Sequence, residues 1–207
     1  MRLSLLLCHW RRSLCALCCL LLWSVQAHAF DNQSLQQQLR QHPVVRGEFV
    51  QEKHLRALPK PLTSRGQFVL AQEFGLLWLL RSPLQQDFRI TAEGVARRTP
   101  QGWQASSGGS ASERQNRLTL ALLSGDESQL SRDFDSQLTG TAQAWQLTLT
   151  PKSSLLQHIF QRIELSGAQG IERIEIFEAQ GDRTLMRLQD TQQYQALTEQ
   201  ERHDLRN

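Results

Sequence analysis

Residues able to carry acid–base, metal or nucleophilic chemistry are few in this sequence, and their spacing does not serve that chemistry. Beyond residue 29 the histidines are His42, His54, His158 and His203. None stands at zinc-ligand spacing from another, and no His-Glu-x-x-His occurs. Gly108-Gly109-Ser110-Ala111-Ser112 approaches a nucleophile elbow, but Ser112 occupies the place of the second glycine that the turn requires. No glycine-rich loop carries the lysine that would cradle a phosphate. Carboxylates are numerous without forming an acid–base pair, and Glu73 beside Phe74 reads as a strand-end charge. The expectation is a protein with no catalytic residue, metal, cofactor or nucleotide.

The N-terminus removes the remaining candidates. Arg2, Arg11 and Arg12 lead into an apolar run at residues 13–25, and Ala27-His28-Ala29 supplies a small-x-small cleavage signal. The run is shorter than the roughly 20 residues of a transmembrane helix. Residues 1–29 thus read as a secretory leader cleaved before Phe30, with a general-secretion route preferred over a twin-arginine one. All four cysteines (Cys8, Cys15, Cys18 and Cys19) lie in it, so the exported chain has no thiol chemistry. The formal net charge of +3 also equals the three leader arginines. A neutral remainder offers no footprint for nucleic acid or anionic membrane. Residues 30–207 are expected to form one exported domain.

The elements follow from periodicity. Residues 31–41 read as an amphipathic helix with Leu35 and Leu39 on one face and a Ser34/Gln37 capping box, ended by Pro43. From Val44 the period becomes two. Val45, Phe49 and Gln51 share one side; Phe68 and Leu70 share another, at residues 64–71. Residues 74–81 are apolar on both faces, Leu76, Trp78 and Leu80 against Leu77 and Leu79, which predicts cover on both sides. Phe88 and Ile90 point inward from residues 87–91, and a further strand is expected at 95–99. Residues 105–112 read as a loop, 114–124 and 127–134 as helices, and 153–160 as one or two helical turns. Strands are expected at 136–139, 144–150, 162–165, 171–179 and 184–189. The order is a helix, four or five strands, a helical insertion and five strands. So few helices between strands predict an antiparallel, α+β arrangement.

Large apolar residues recur in alternation: Phe49, Phe68, Trp78, Phe88, Trp103, Trp145, Phe160 and Phe177. One reading is a filled core. The other is a curved sheet whose inner face leaves room for a lipid.

Several short motifs resemble the periplasmic outer-membrane lipoprotein carrier (LolA-type) family. They are Gly47-Glu48-Phe49-Val50-Gln51, Ser64-Arg65-Gly66-Gln67-Phe68, the step from Trp78 to Pro83, Leu147-Thr148-Leu149-Thr150-Pro151 and the Gly181-Asp182 turn. The resemblance implies an unclosed (half) β-barrel with short helices packed as a lid on the concave face. It also implies a monomeric periplasmic shuttle from an inner-membrane ABC exporter to an outer-membrane receptor. The cargo would be lipoprotein acyl chains, or a glycolipid or aryl-polyene-type lipid as in divergent members. In such a carrier Phe49, Phe68, Leu70, Trp78, Phe88, Ile90, Trp145 and Leu147 would line the cavity. Leu118, Leu122, Leu123 and Leu130 would face it from the lid. Family members carry an Arg-Pro pair before the tryptophan, where the arginine latches the lid; here the stretch is Ala71-Gln72-Glu73-Phe74. Two other readings stay open, an envelope sensor of the same fold and an exported lipid hydrolase with a polar cluster near His54 or His158.

Overall fold

The computed structural model describes residues 30–106 and 111–206; residues 1–29, which include the expected secretory leader, residues 107–110 and residue 207 lie outside them. Eleven strands form one antiparallel sheet: β1 (Val44–His54), β2 (Leu62–Ala71), β3 (Gly75–Ser82), β4 (Gln86–Ile90), β5 (Val95–Thr99), β6 (Gly102–Ala105), β7 (Phe134–Thr141), β8 (Ala144–Pro151), β9 (Phe160–Gly167), β10 (Ile171–Glu178) and β11 (Arg183–Tyr194). The spatial order is β6-β5-β4-β3-β2-β1-β11-β10-β9-β8-β7. The chain begins at the centre, meanders out to β6, crosses to the far edge and meanders back to pair β11 with β1. β6 and β7 do not pair, so the barrel is unclosed. The expected α+β, antiparallel half-barrel is the architecture found.

Among the described residues five helices accompany the sheet: α1 (Asn32–Arg40), α2 (Ala111–Ser124), α3 (Glu127–Asp133), α4 (Ser154–Gln157) and α5 (Glu199–Arg206). The crossover between the two edges is α2 and α3. α2 lies against β3, β4 and β5, and α3 against β7. α1 crosses the other flank, where Asn32 Nδ2 donates to Ser136 Oγ at 2.8 Å and Gln38 Nε2 to the carbonyl of Ala142 at 3.2 Å.

Alternation sorts the side chains into two layers. The inner layer holds Phe49, Phe68, Leu70, Leu76, Trp78, Ile90, Trp145, Ile163, Ile174 and Met186 with Leu35, Leu122, Leu123 and Leu130 from the helices. The outer layer is smaller: Val44, Val69, Ala71 and Leu77, closed by Leu197 and by Leu205 of α5. The two-sided apolar pattern of β3 is thus explained, because α2 covers one face and α5 the other.

Several local expectations are corrected. The N-cap of α1 is Asp31, whose carboxylate accepts from the Ser34 amide at 2.8 Å, and not a Ser34/Gln37 box. Asp31 stands about one turn earlier, with extended backbone at the helix start, and Ser34 lies inside the helix, so the aspartate carboxylate takes the free amide. Six strands, not four or five, precede the insertion, because the short Gly102–Ala105 segment pairs with β5. α2 begins at Ala111, inside the stretch read as loop. Phe134 and Phe160 open strands instead of closing helices. Trp103 and Phe177 belong to the outer side: Trp103 packs on the outer layer, and the Arg162 guanidinium lies 3.6 Å from the Phe177 ring centroid. α5 was not anticipated, because Glu199-Gln200-Glu201-Arg202-His203-Asp204 hides its apolar face in a single residue, Leu205.

Candidate lipid-binding site

All twelve residues singled out from the sequence meet in the inner layer. Phe49, Phe68, Leu70, Trp78, Ile90, Trp145, Leu122, Leu123 and Leu130 are buried there, and Phe88, Leu147 and Leu118 are partly buried against them. Interdigitation is extensive. Trp78 stacks on Phe49, and Trp145 anchors its indole by donating to the Ala168 carbonyl at 2.8 Å.

Space remains at the seams between helices and sheet. The largest apolar cleft, about 470 Å³, lies where α2 and α3 meet β7, β9 and β10. Its apolar wall is Leu118, Ala121, Leu130, Phe134, Phe160 and Ile176, and Leu156 and Ile159 stand at one side. Lys53, Arg117, Asp133, Glu178 and Thr184 mark its polar border, and Lys53 Nζ is 3.7 Å from Glu178 Oε1. A second cleft of about 230 Å³, between α1, α2 and the sheet centre, is lined by Phe68, Leu70, Leu123, Val45 and Leu188 among others. A third, of about 50 Å³, shares Leu130 and Phe134 with the first and adds Leu147, Leu35 and Leu39. An engineered apolar cavity of about 150 Å³ already takes up benzene, and ligand pockets run from roughly 300 to 1,000 Å³. The first cleft therefore has the size and lining to take a hydrocarbon chain.

The twelve residues divide accordingly. Leu118 and Leu130 border the first cleft; Phe68, Leu70 and Leu123 the second; Leu130 and Leu147 the third. Phe49, Trp78, Phe88, Ile90, Trp145 and Leu122 border none of the three. The alternation shows which face a side chain takes, but not whether a neighbour fills the space above it. Phe134 and Ile176, absent from the sequence-based set, border the first cleft. Ile176 lay within the alternating 171–179 segment, whereas Phe134 was hidden by its assignment to a helix end.

The stretch without Arg-Pro makes a different connection to α1. Gln72 Nε2 donates to the Leu39 carbonyl of α1 at 3.3 Å, and the Gln72 amide to the Pro43 carbonyl at 3.0 Å. Gln72 thus ties the first helix to the β2–β3 turn. Glu73 beside it is exposed.

Two histidines named from the sequence make local contacts. His54 Nε2 is 3.6 Å from Glu52, and His158 Nδ1 meets the Ser154 carbonyl within its own helical turn. Among the described residues no three His, Cys, Asp or Glu side chains are placed to hold a metal ion, and no helix is long and apolar enough to cross a membrane.

The chain is similar to several known proteins. A LolA superfamily protein from Nitrosomonas europaea superposes with a TM-score of 0.50 at 10% identity, over 81% of this chain and 93% of that one. The MucA/MucB complex of Pseudomonas aeruginosa gives a TM-score of 0.48 at 16% identity over 81% of this chain, which spans 57% of that chain's length. A lipoprotein-sorting protein domain from Vibrio parahaemolyticus gives 0.37 at 10% identity, covering 83% and 97%. No curated protein is significantly similar in sequence. The sequence model of the family described as outer membrane lipoprotein carrier protein LolA matches residues 40–201, and the chain belongs to that family.

Proposed function

We propose that this protein is an exported, periplasmic carrier that shields an acyl chain between two membranes. The cargo class is a lipoprotein or a glycolipid or aryl-polyene-type lipid, collected at an inner-membrane exporter and given up at an outer-membrane receptor. The observation that supports this most directly is the apolar cleft of about 470 Å³ between α2, α3 and the sheet. Each buried methylene is worth about 0.8 kcal/mol, so a 16-carbon chain costs on the order of 12 kcal/mol to leave in water. Unassisted transit at that cost is negligible, and an apolar shield is required.

The sheet supplies the rigid wall and the crossover helices the movable one. α2 packs its apolar face on the body and α3 is held besides by Lys152, whose amide donates to the Asp133 carbonyl at 2.9 Å and whose Nζ donates to the Ser131 carbonyl at 2.7 Å, whereas every strand is held by ladder hydrogen bonds on at least one side. Outward movement of the pair would merge the first and third clefts, which already share Leu130 and Phe134. Release requires no nucleotide. A receptor that binds the chain better, or a lid with two states of similar free energy, suffices.

The test is native mass spectrometry of the exported protein purified without detergent. One lipid-sized adduct per chain is the expected result and would name the cargo. A chain free of lipid that also refuses loading from micelles contradicts the proposal.

A further inference from the structure

Of the six large apolar residues that stand exposed among the described residues, five share one end of the sheet; the sixth, Tyr194, lies at the other, with the Arg46 guanidinium over its ring. Leu58, Leu62, Leu84, Leu155 and Ile159 are 44%, 54%, 75%, 73% and 43% exposed. In an antiparallel sheet the strand connections fall alternately at two ends. Residues 55–61, 83–85, 100–101, 152–159 and 179–182 are the connections at one end, and Leu62 opens β2 beside them. All five side chains therefore lie on a single rim. The rim crosses six strand spacings from the β3–β4 turn to α4, about 29 Å of arc. The apolar cleft of about 470 Å³ reaches the same end, since Lys53, Phe160, Glu178 and Thr184 lie at or one residue from the ends of their strands there and Leu156 and Ile159 lie in the 152–159 connection.

Charge follows the same division. The connections at the leucine end carry Arg56, Lys60 and Lys152 against Asp182 alone. At the opposite end, the connections 72–74, 91–94, 142–143 and 168–170 carry Glu73 and Glu93, balanced by Arg40 and Arg206 from the ends of α1 and α5 in the same cleft, so that end has no cationic excess.

We infer that this rim docks on the surface of an anionic lipid bilayer, its leucines entering the headgroup–acyl boundary around the mouth of the cleft. Separate aliphatic tips on different loops, spread along an arc and interspersed with cations, suit a soft planar surface. They do not form the continuous patch that a folded partner would cover. Basic groups near an anionic leaflet and shallow apolar insertion reinforce each other. The purpose of such docking rests on the carrier reading: an acyl chain would pass between bilayer and cleft without crossing water.

The test is sedimentation of the exported protein with two kinds of vesicle, phosphatidylglycerol mixed with phosphatidylethanolamine, and phosphatidylcholine alone. The wild type should partition at least tenfold more onto the anionic vesicles. Leu84→Ser combined with Leu155→Ser should lower that partition at least tenfold, and Lys60→Gln about fivefold. Both leucines are exposed, so the far-ultraviolet circular dichroism should not change. Uptake of a fluorescent fatty acid in solution, followed in parallel, separates the two ideas. Lost vesicle binding with normal uptake in the double variant supports the inference. Vesicle binding by a wild type that takes up no fatty acid keeps the inference and removes the carrier reading. No partition of the wild type, or undiminished partition of the double variant, overturns the inference; the first with normal uptake would leave the rim to a protein partner.

Discussion

Trp78 stacks on Phe49 with ring centroids 3.7 Å apart and 17° between the planes, although β2 runs between the strands that carry them. Gly66 makes this possible. It pairs with Phe49 in the β1–β2 ladder, and a Cβ there would stand 2.7 Å from the Phe49 ring and 2.2 Å from the Leu79 carbonyl oxygen. The relation is repeated one step along: Gly47 pairs with Phe68, and its Cβ would lie 2.8 Å from that ring. Each aromatic ring lies over the glycine of the neighbouring strand, which builds the floor of the inner layer.

Gly66→Ala should therefore lower stability by about 1–3 kcal/mol through overpacking. The clash involves backbone as well as a ring, so rotamer change alone cannot relieve it. Urea denaturation followed by tryptophan fluorescence checks this. A midpoint equal to the wild type would show that the ring does not depend on the glycine.

Gln72→Ala should free α1 without unfolding the sheet. The substitution removes one side-chain hydrogen bond to the Leu39 carbonyl, worth about 0.5–1.5 kcal/mol. Hydrogen exchange should accelerate in α1, by about tenfold at most, while the amides of β1 and β11 keep their protection. Equal acceleration in both regions would mean that Gln72 supports the whole fold and not the helix.

The outer helix α5 should respond to acid. Arg46 donates to both carboxylate oxygens of Glu201, one bond at 2.7 Å, and Arg98 Nη2 lies 2.6 Å from Asp204. The hydrogen bond from Arg46 holds Glu201 below the ordinary carboxylate range, against the opposing effect of burial. Burial pushes Asp204 up, but hydrogen bonds from Arg98, Gln200 and Trp103 and the charge of Arg98 outweigh it and leave it lowered. Groups with lowered folded values stabilise the fold above their unfolded pKa and lose that contribution as pH falls through the folded value. The melting-temperature difference between wild type and Glu201→Gln should be constant from pH 7 to about 5 and shrink below about pH 4. The pair should contribute about 1 kcal/mol at neutral pH. A difference that grows on acidification would contradict the assignment.

The parts of this fold that sequence made legible are those where one residue's face decides its place. Strict alternation in β2, β3 and β4 located Phe68, Leu70, Trp78 and Ile90 in the inner layer, and the double apolar face of β3 announced cover on both sides. What stayed hidden depends on residues distant in sequence. α5 is polar but for Leu205, and it is fixed by Arg46 and Arg98, more than 100 positions away. The clefts are the remainder left after side chains from β1, β3 and α2 have met, so Phe49, Trp78 and Leu122 fill the interior while Phe134 and Ile176 border space. No periodicity separates those two outcomes.

The account turns on the cleft between α2, α3 and the sheet. Titration of a fluorescent 16-carbon fatty acid into the exported protein, wild type against Leu118→Glu, tests it most directly. Leu118 borders the cleft from the lid side and is only partly buried, so a carboxylate there should leave the fold intact while placing charge against the cargo. The account predicts saturable binding of one probe per wild-type chain and at least tenfold weaker binding by the folded variant. Equal binding by both proteins, or none by the wild type, would contradict it.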